Sequence, residues 1–164
     1  MVGPKFLATA ALAALGVLAS PTPASPVEDS PALAKRGEGI HLFNCRPWGG
    51  MGVDQSWISI VAYCANDSDC SNLQHGFASN DVCVKGSSRT SESYHIWEGG
   101  PQSCTFPSGV TFSWNIPSNA QSRPNYSSVG TGSNSFRSFQ GFKDDHGAAP
   151  SYNYHSCEKI YYFV

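Results

Sequence analysis

Six cysteines, Cys45, Cys64, Cys70, Cys83, Cys104 and Cys157, restrain the possible folds of this chain more than any other feature. Structural zinc sites bring paired ligands of the C-x-x-C kind with histidines at matching spacing. Here the shortest gap is five residues and no His pair has ligand spacing. An even count of this kind is most simply explained by three disulfides, which persist in an oxidising compartment. Fifteen connectivities are open to six half-cystines, and spacing alone selects none of them. The working expectation pairs Cys64 with Cys70, Cys83 with Cys104, and Cys45 with Cys157. The last bridge would tie the first strand to the last, and closing so long a loop is valued by chain-entropy arguments at roughly 4 to 5 kcal/mol.

An export route supplies the oxidising compartment. Lys5 precedes the apolar run Phe6 to Ala19, whose length and small residues suit a secretory signal better than a bilayer-spanning helix. Residues 1–19 are therefore expected to be a signal peptide. Residues 20–36 carry several prolines and almost no bulky apolar groups, so they cannot build a core and are expected to form a pro-segment. The segment closes on Lys35-Arg36, a dibasic pair directly before Gly37 that resembles a eukaryotic pro-peptide processing signal, so processing after Arg36 is expected. The mature domain is expected to be 37–164, secreted and extracellular, with no membrane span because no later apolar run approaches ~20 residues. Ten Lys and Arg against twelve Asp and Glu, a net charge of −2, give no general electrostatic reason to bind nucleic acid. Hydrophobic residues at 40% suffice for one packed domain in 164 residues. A monomer without a cofactor is the expected form.

The chain beyond residue 36 reads as strands. Val110, Phe112, Trp114 and Ile116 alternate with Thr111, Ser113 and Asn115, a period of two that puts the large side chains on one face. Gln55 to Cys64 is rich in β-branched and aromatic residues and stops at Asn66-Asp67-Ser68-Asp69. Shorter candidates are 40–45, 94–98, 102–106, 126–130, 136–143 and 158–164, each fenced by Gly, Ser, Asn or Pro. A sustained helical period is missing, and one short helical turn around 67–73 is the most the pattern allows. The expected class is mainly β: a compact sandwich or barrel of about eight short strands, since both architectures protect strand edges.

Candidate chemistry is sparse. Five histidines, His41, His75, His95, His146 and His155, could serve acid-base catalysis. The sharpest local set is Glu92, His95 and Glu98, with Arg89, Arg123 or Arg137 as a phosphate clamp; a secreted ribonuclease or toxin-like hydrolase would use His95 or His41 with Glu98 or Glu92. Strand alternation, however, would turn residues 92 and 98 away from residue 95, which favours a structural role for His95. A nucleophile elbow of the G-x-S-x-G type is missing. The acidic clusters at 66–69 and 144–145 lack the twelve-residue spacing of a calcium loop and are read as polar turns, so no metal is expected. Trp57 and Trp114 lie in apolar alternation and are expected in the core. Trp48, within Arg46-Pro47-Trp48-Gly49-Gly50, is the surface aromatic, and with Arg46 it is the expected binding position, for example for stacking on a sugar ring. Asn66-Asp67-Ser68 and Asn125-Tyr126-Ser127 are glycosylation acceptor triplets, as expected of a glycoprotein.

HLFNC at 41–45, YCANDSDC at 63–70, WEGGPQSCTFPSGVTFSWNI at 97–116 and SCEKIYYFV at 156–164 stand beside the Lys35-Arg36 leader. Together they resemble the small secreted cysteine-containing proteins of filamentous ascomycete fungi, a group that includes β-barrel elicitors of the plant hypersensitive response. The resemblance implies a secreted effector or elicitor with a part in virulence, whose partner is a host protein or cell-wall component. It carries over no catalytic motif, so a protein without enzymatic activity is expected, with the hydrolase and a carbohydrate-binding module as rivals.

Overall fold

The computed structural model describes residues 37–50, 52, 55–67, 70, 77–78, 81–89, 93–148 and 151–164. The signal and pro-segment expectations, with Lys35 and Arg36, fall outside these residues, as do His75 and Glu92. Eight strands follow one another: β1 (Gly39–Pro47), β2 (Trp57–Cys64), β3 (Val82–Ser88), β4 (Gly100–Thr105), β5 (Thr111–Ile116), β6 (Ser128–Ser133), β7 (Ser138–Ala148) and β8 (His155–Phe163). The alternation read in the sequence is realised in β5, where Phe112, Trp114 and Ile116 are buried and their neighbours exposed.

All strand pairs are antiparallel, in the order β3-β2-β1-β8-β7-β6-β5-β4. That order is the chain order wrapped into a ring and cut once between β3 and β4, so the sheet is an up-and-down barrel with one seam. The Cys83–Cys104 disulfide and a hydrogen bond from Lys85 Nζ to the Ser103 carbonyl, 3.0 Å, span the seam. The open choice between sandwich and barrel therefore resolves to a nearly closed barrel. Wrapping brings the two edge strands, β3 and β4, against each other instead of leaving them at opposite rims of an open sheet.

The interior is filled rather than hollow. Ile40, Leu42, Val61, Trp97, Phe112, Trp114, Ile116, Phe139, Tyr161 and Phe163 pack there, with Phe112 stacked on Trp114 at 5.9 Å and edge-on to Phe163 at 5.2 Å. The indole N–H groups find partners: Trp97 donates to Asn44 Oδ1 at 3.1 Å and Trp114 to the Trp97 carbonyl at 3.2 Å. A bulge lets Phe43 pair with Lys159 while Leu42 pairs with Tyr161, so Ile160 and Tyr161 both join the interior cluster. A second cluster, Phe43, Cys45, Ile58, Ile60, Ala62, Val82 and Cys157, covers the outer face of β1, β2 and β8. These strands are buried on both sides, as the apolar run of β2 suggested.

All three adopted pairings form: Cys45–Cys157, Cys64–Cys70 and Cys83–Cys104. Two strand expectations need correction. Residues 94–98 are extended but join no ladder, because their polar groups bond to side chains instead: His95 N–H donates to Ser59 Oγ at 2.9 Å and the Ile96 carbonyl accepts from Gln102 Nε2 at 3.0 Å. Conversely, β3 was not foreseen, since Val82 and Val84 are followed only by lysine, glycine and serines. Trp97 and Trp114 are fully buried, whereas Trp57 is half-buried and sits edge-on to Tyr94 at 5.4 Å. The short helical turn expected at 67–73 is represented among the described residues by single-turn geometry at Asp67 and Cys70. No helix among the described residues is long and apolar enough to cross a membrane.

Candidate functional site

The β1–β2, β3–β4, β5–β6 and β7–β8 connections all emerge at one end of the barrel, a consequence of the alternating strand directions. Trp48 stands at this end with 60% of its surface exposed, and beside it Tyr154 is 63% exposed. The Trp48 N–H donates to the Tyr154 carbonyl at 3.0 Å, and the two rings meet edge-on at 6.2 Å. Tyr154 belongs to a tight turn between the bridged residues Tyr152 and His155, in which Asn153 (φ 44°) and Tyr154 (φ 64°) are both left-handed. Asparagine tolerates that region, but tyrosine is strained in it. The surrounding structure must hold the conformation, and strain of this kind gathers at functional positions.

The buried side chain of His155 does the holding. Its Nδ1 lies 2.7 Å from the Asn153 carbonyl and its Nε2 lies 2.7 Å from the Ser56 carbonyl, so the ring ties the turn to the segment entering β2. A surface groove of about 350 Å³ runs alongside, walled by Ile58, Val84, Tyr152 and Tyr154. Arg46 is exposed where β1 ends, at this same end of the barrel, and strand alternation turns it to the face opposite Cys45 and Ile58. The arrangement offers two fixed aromatic faces, an apolar groove and a cation, which suits recognition by stacking and hydrogen bonding. Sequence reading singled out Trp48 and Arg46 as candidates and passed over Tyr154, whose only signal was an asparagine placed before it.

The residues of the hydrolase reading are distributed differently. His95 Nε2–H donates to Gln102 Oε1 at 2.5 Å; the Gln102 amide nitrogen faces the Ile96 and Glu98 carbonyls, which fixes its oxygen toward the imidazole. Glu98 instead accepts from the Tyr161 hydroxyl and from Gln121 Nε2, the latter at 3.1 Å. Burial, and after it Glu98, push the Tyr161 hydroxyl far above the ordinary tyrosine value, so it stays a donor. Among the described residues no hydrogen bond or ion pair joins Glu98 to His95 or His41.

His41 is buried on the outer face near the opposite end of β1, between the rings of Phe43 and Tyr162, with Nε2–H donating to Asp67 Oδ1 at 2.8 Å. Burial holds its imidazole below the ordinary value, outweighing the upward pull of Asp67. The guanidinium candidates are equally scattered. Arg89 is exposed, Arg123 donates to the Ser128 carbonyl at 3.0 Å, and Arg137 lies at the far end of the barrel, 3.6 Å from Glu38. Arg89 and Arg123 follow β3 and β5 at one end of the barrel and Arg137 precedes β7 at the other, and among the described residues no hydrogen bond or ion pair joins any of the three to His95, His41 or Glu98.

The acidic pair at 144–145 lies in β7 rather than in a turn and is committed to ion pairs, Asp144 to Lys159 and Asp145 to Lys143, each at 3.1 Å; of the cluster at 66–69, Ser68 and Asp69 fall outside the described residues. Both acceptor asparagines are exposed; Asn125 also exchanges hydrogen bonds with the Asp145 backbone at 3.1 and 3.2 Å. Comparison with protein-family models, with curated proteins and with solved structures returns no match.

Proposed function

We propose that the protein is a secreted effector or elicitor that acts by extracellular recognition through the Trp48–Tyr154 end of the barrel. The observation that carries this reading is the strained, exposed Tyr154 held beside Trp48 by a backbone hydrogen bond and by the buried His155. Rigid aromatic pairs are favoured anchors because they lose little conformational entropy on binding. Three disulfides and a filled interior keep the scaffold fixed while the connecting segments carry the contacts. The partner is a host protein or wall component.

Infiltration of the oxidised mature protein, residues 37–164, into leaves is expected to produce cell death or a defence response that weakens in Trp48→Ala and Tyr154→Ala. Leaves that respond no differently from a buffer control would refute the reading. The same aromatic pair favours a second reading, glycan binding. It predicts retention on chitin or glucan that is lost in Trp48→Ala.

A further inference from the structure

The other end of the barrel carries a separate cleft of about 220 Å³. Its apolar lining is mostly aromatic: Tyr63 at the end of β2, Phe106 in the β4–β5 turn and Phe136 in the β6–β7 turn, with the aliphatic Val110 beside Phe106. Tyr63 and Phe106 meet edge-on at 6.4 Å. Phe136 is 77% exposed, the most exposed large apolar side chain described, and its turn is preformed. Asn134 Oδ1 accepts from the backbone N–H groups of both Phe136 and Arg137 at 2.9 Å, which fixes the turn that carries the ring at the rim of the cleft.

Two carboxylates, Glu38 and Asp81, face the same space. Glu38 is partly neutralised, accepting from the Tyr63 hydroxyl at 2.9 Å and lying 3.6 Å from Arg137. Asp81 has no cation within ion-pair distance among the described residues. One guanidinium against two carboxylates leaves the cleft negative, and the Tyr63 proton is already committed to Glu38. Aromatic faces attract a cation through their quadrupole, and carboxylates attract it through charge. A sugar would need donors to match its own acceptors, and the cleft supplies mainly acceptors.

We infer that this cleft binds an alkylammonium group, seated among Tyr63, Phe106 and Phe136 with its charge toward Asp81. The chemistry is shared by the side chain of lysine and by N-methylated ammonium compounds. The inference concerns the end of the barrel opposite Trp48 and does not depend on the function proposed above.

Titration of the oxidised protein with choline and with n-butylammonium, followed by aromatic proton resonances, tests it. Saturable shifts of the Tyr63, Phe106 and Phe136 rings are expected. The neutral isostere 3,3-dimethylbutanol should bind at least about tenfold more weakly, because it lacks the charge that the ring faces and Asp81 attract. A stronger response to choline would identify an N-methylated ligand, and a stronger response to butylammonium a lysine-type one. Phe136→Ala and Asp81→Asn, both outside the packed core, should each weaken binding about fivefold or more while leaving the near-ultraviolet circular dichroism intact. Absence of saturable shifts, equal binding of the neutral isostere, or indifference to both substitutions in folded protein would overturn the inference.

Discussion

Gly132 faces the barrel interior, where an added Cβ would run into the Phe112 ring and lie 3.0 Å from Phe163 Cδ1. Neither ring can retreat, since both pack among other buried aromatics. Gly132→Val is therefore expected to destabilise by about 1–3 kcal/mol or more, the cost of overpacking a filled core. The urea midpoint would show it, and Phe112→Leu in the same chain should recover part of the loss. At His41 the prediction concerns pH. The lowered imidazole pKa means that the unfolded chain binds more protons than the folded one between that value and the ordinary 6.5. Its contribution to stability is complete above pH 6.5 and falls as the pH drops through that window, by about 1.4 kcal/mol for each pH unit of the window. Urea unfolding at neutral pH and near pH 5 should show a smaller acid loss in His41→Gln than in the parent protein. Glycan attachment at exposed Asn66 and Asn125 would appear as a two-step mass loss on enzymatic deglycosylation.

Strands β3 and β4 meet only at the seam, so the bridge between them does work that ladder hydrogen bonds do elsewhere. Replacing Cys83 and Cys104 with alanine opens a loop with a sequence separation of 21, which chain-entropy arguments value at about 3 kcal/mol. Amide exchange should accelerate first in β3 and β4, with β1 and β8 still protected. Uniform acceleration across all strands would mean that the seam is held by packing alone. Lys143 stitches a connection to a strand: its ammonium donates to the Gln121 and Arg123 carbonyls at 2.6 and 3.0 Å and pairs with Asp145 at 3.1 Å. Lys143→Met strands these acceptors, and a loss of about 3 kcal/mol is expected in denaturant unfolding. The strand pattern was legible where side chains alternate, as in β5, or where a strand is buried on both faces, as in β2. It failed at β3, whose last four residues are lysine, glycine and serines, and at 94–98, where extended backbone bonds to Ser59 and Gln102 rather than to a neighbouring strand.

For the molecule as a whole, Cys45–Cys157 joins β1 to β8 where the two ends of the described chain pair, with a sequence separation of 112. Breaking it should cost roughly 4 to 5 kcal/mol, more than either other bridge, if closure entropy dominates. Reduction of all three disulfides is expected to unfold the domain at ambient temperature, seen as collapse of the near-ultraviolet spectrum. A reduced protein that kept its spectrum would show that the aromatic interior suffices alone. The amino-acid sequence by itself determined the mainly β class, the positions of most strands and the candidate aromatic at Trp48. These follow from local alternation, turn residues and the even cysteine count, all readable along the chain. Tertiary structure alone decided that the sheet curls into a barrel with its seam at β3 and β4, that Glu98 bonds to Tyr161 rather than to a histidine, and that Tyr154 joins Trp48. Each of these depends on which residues far apart in the chain the closing of the sheet brings into contact, and local spacing holds no record of that.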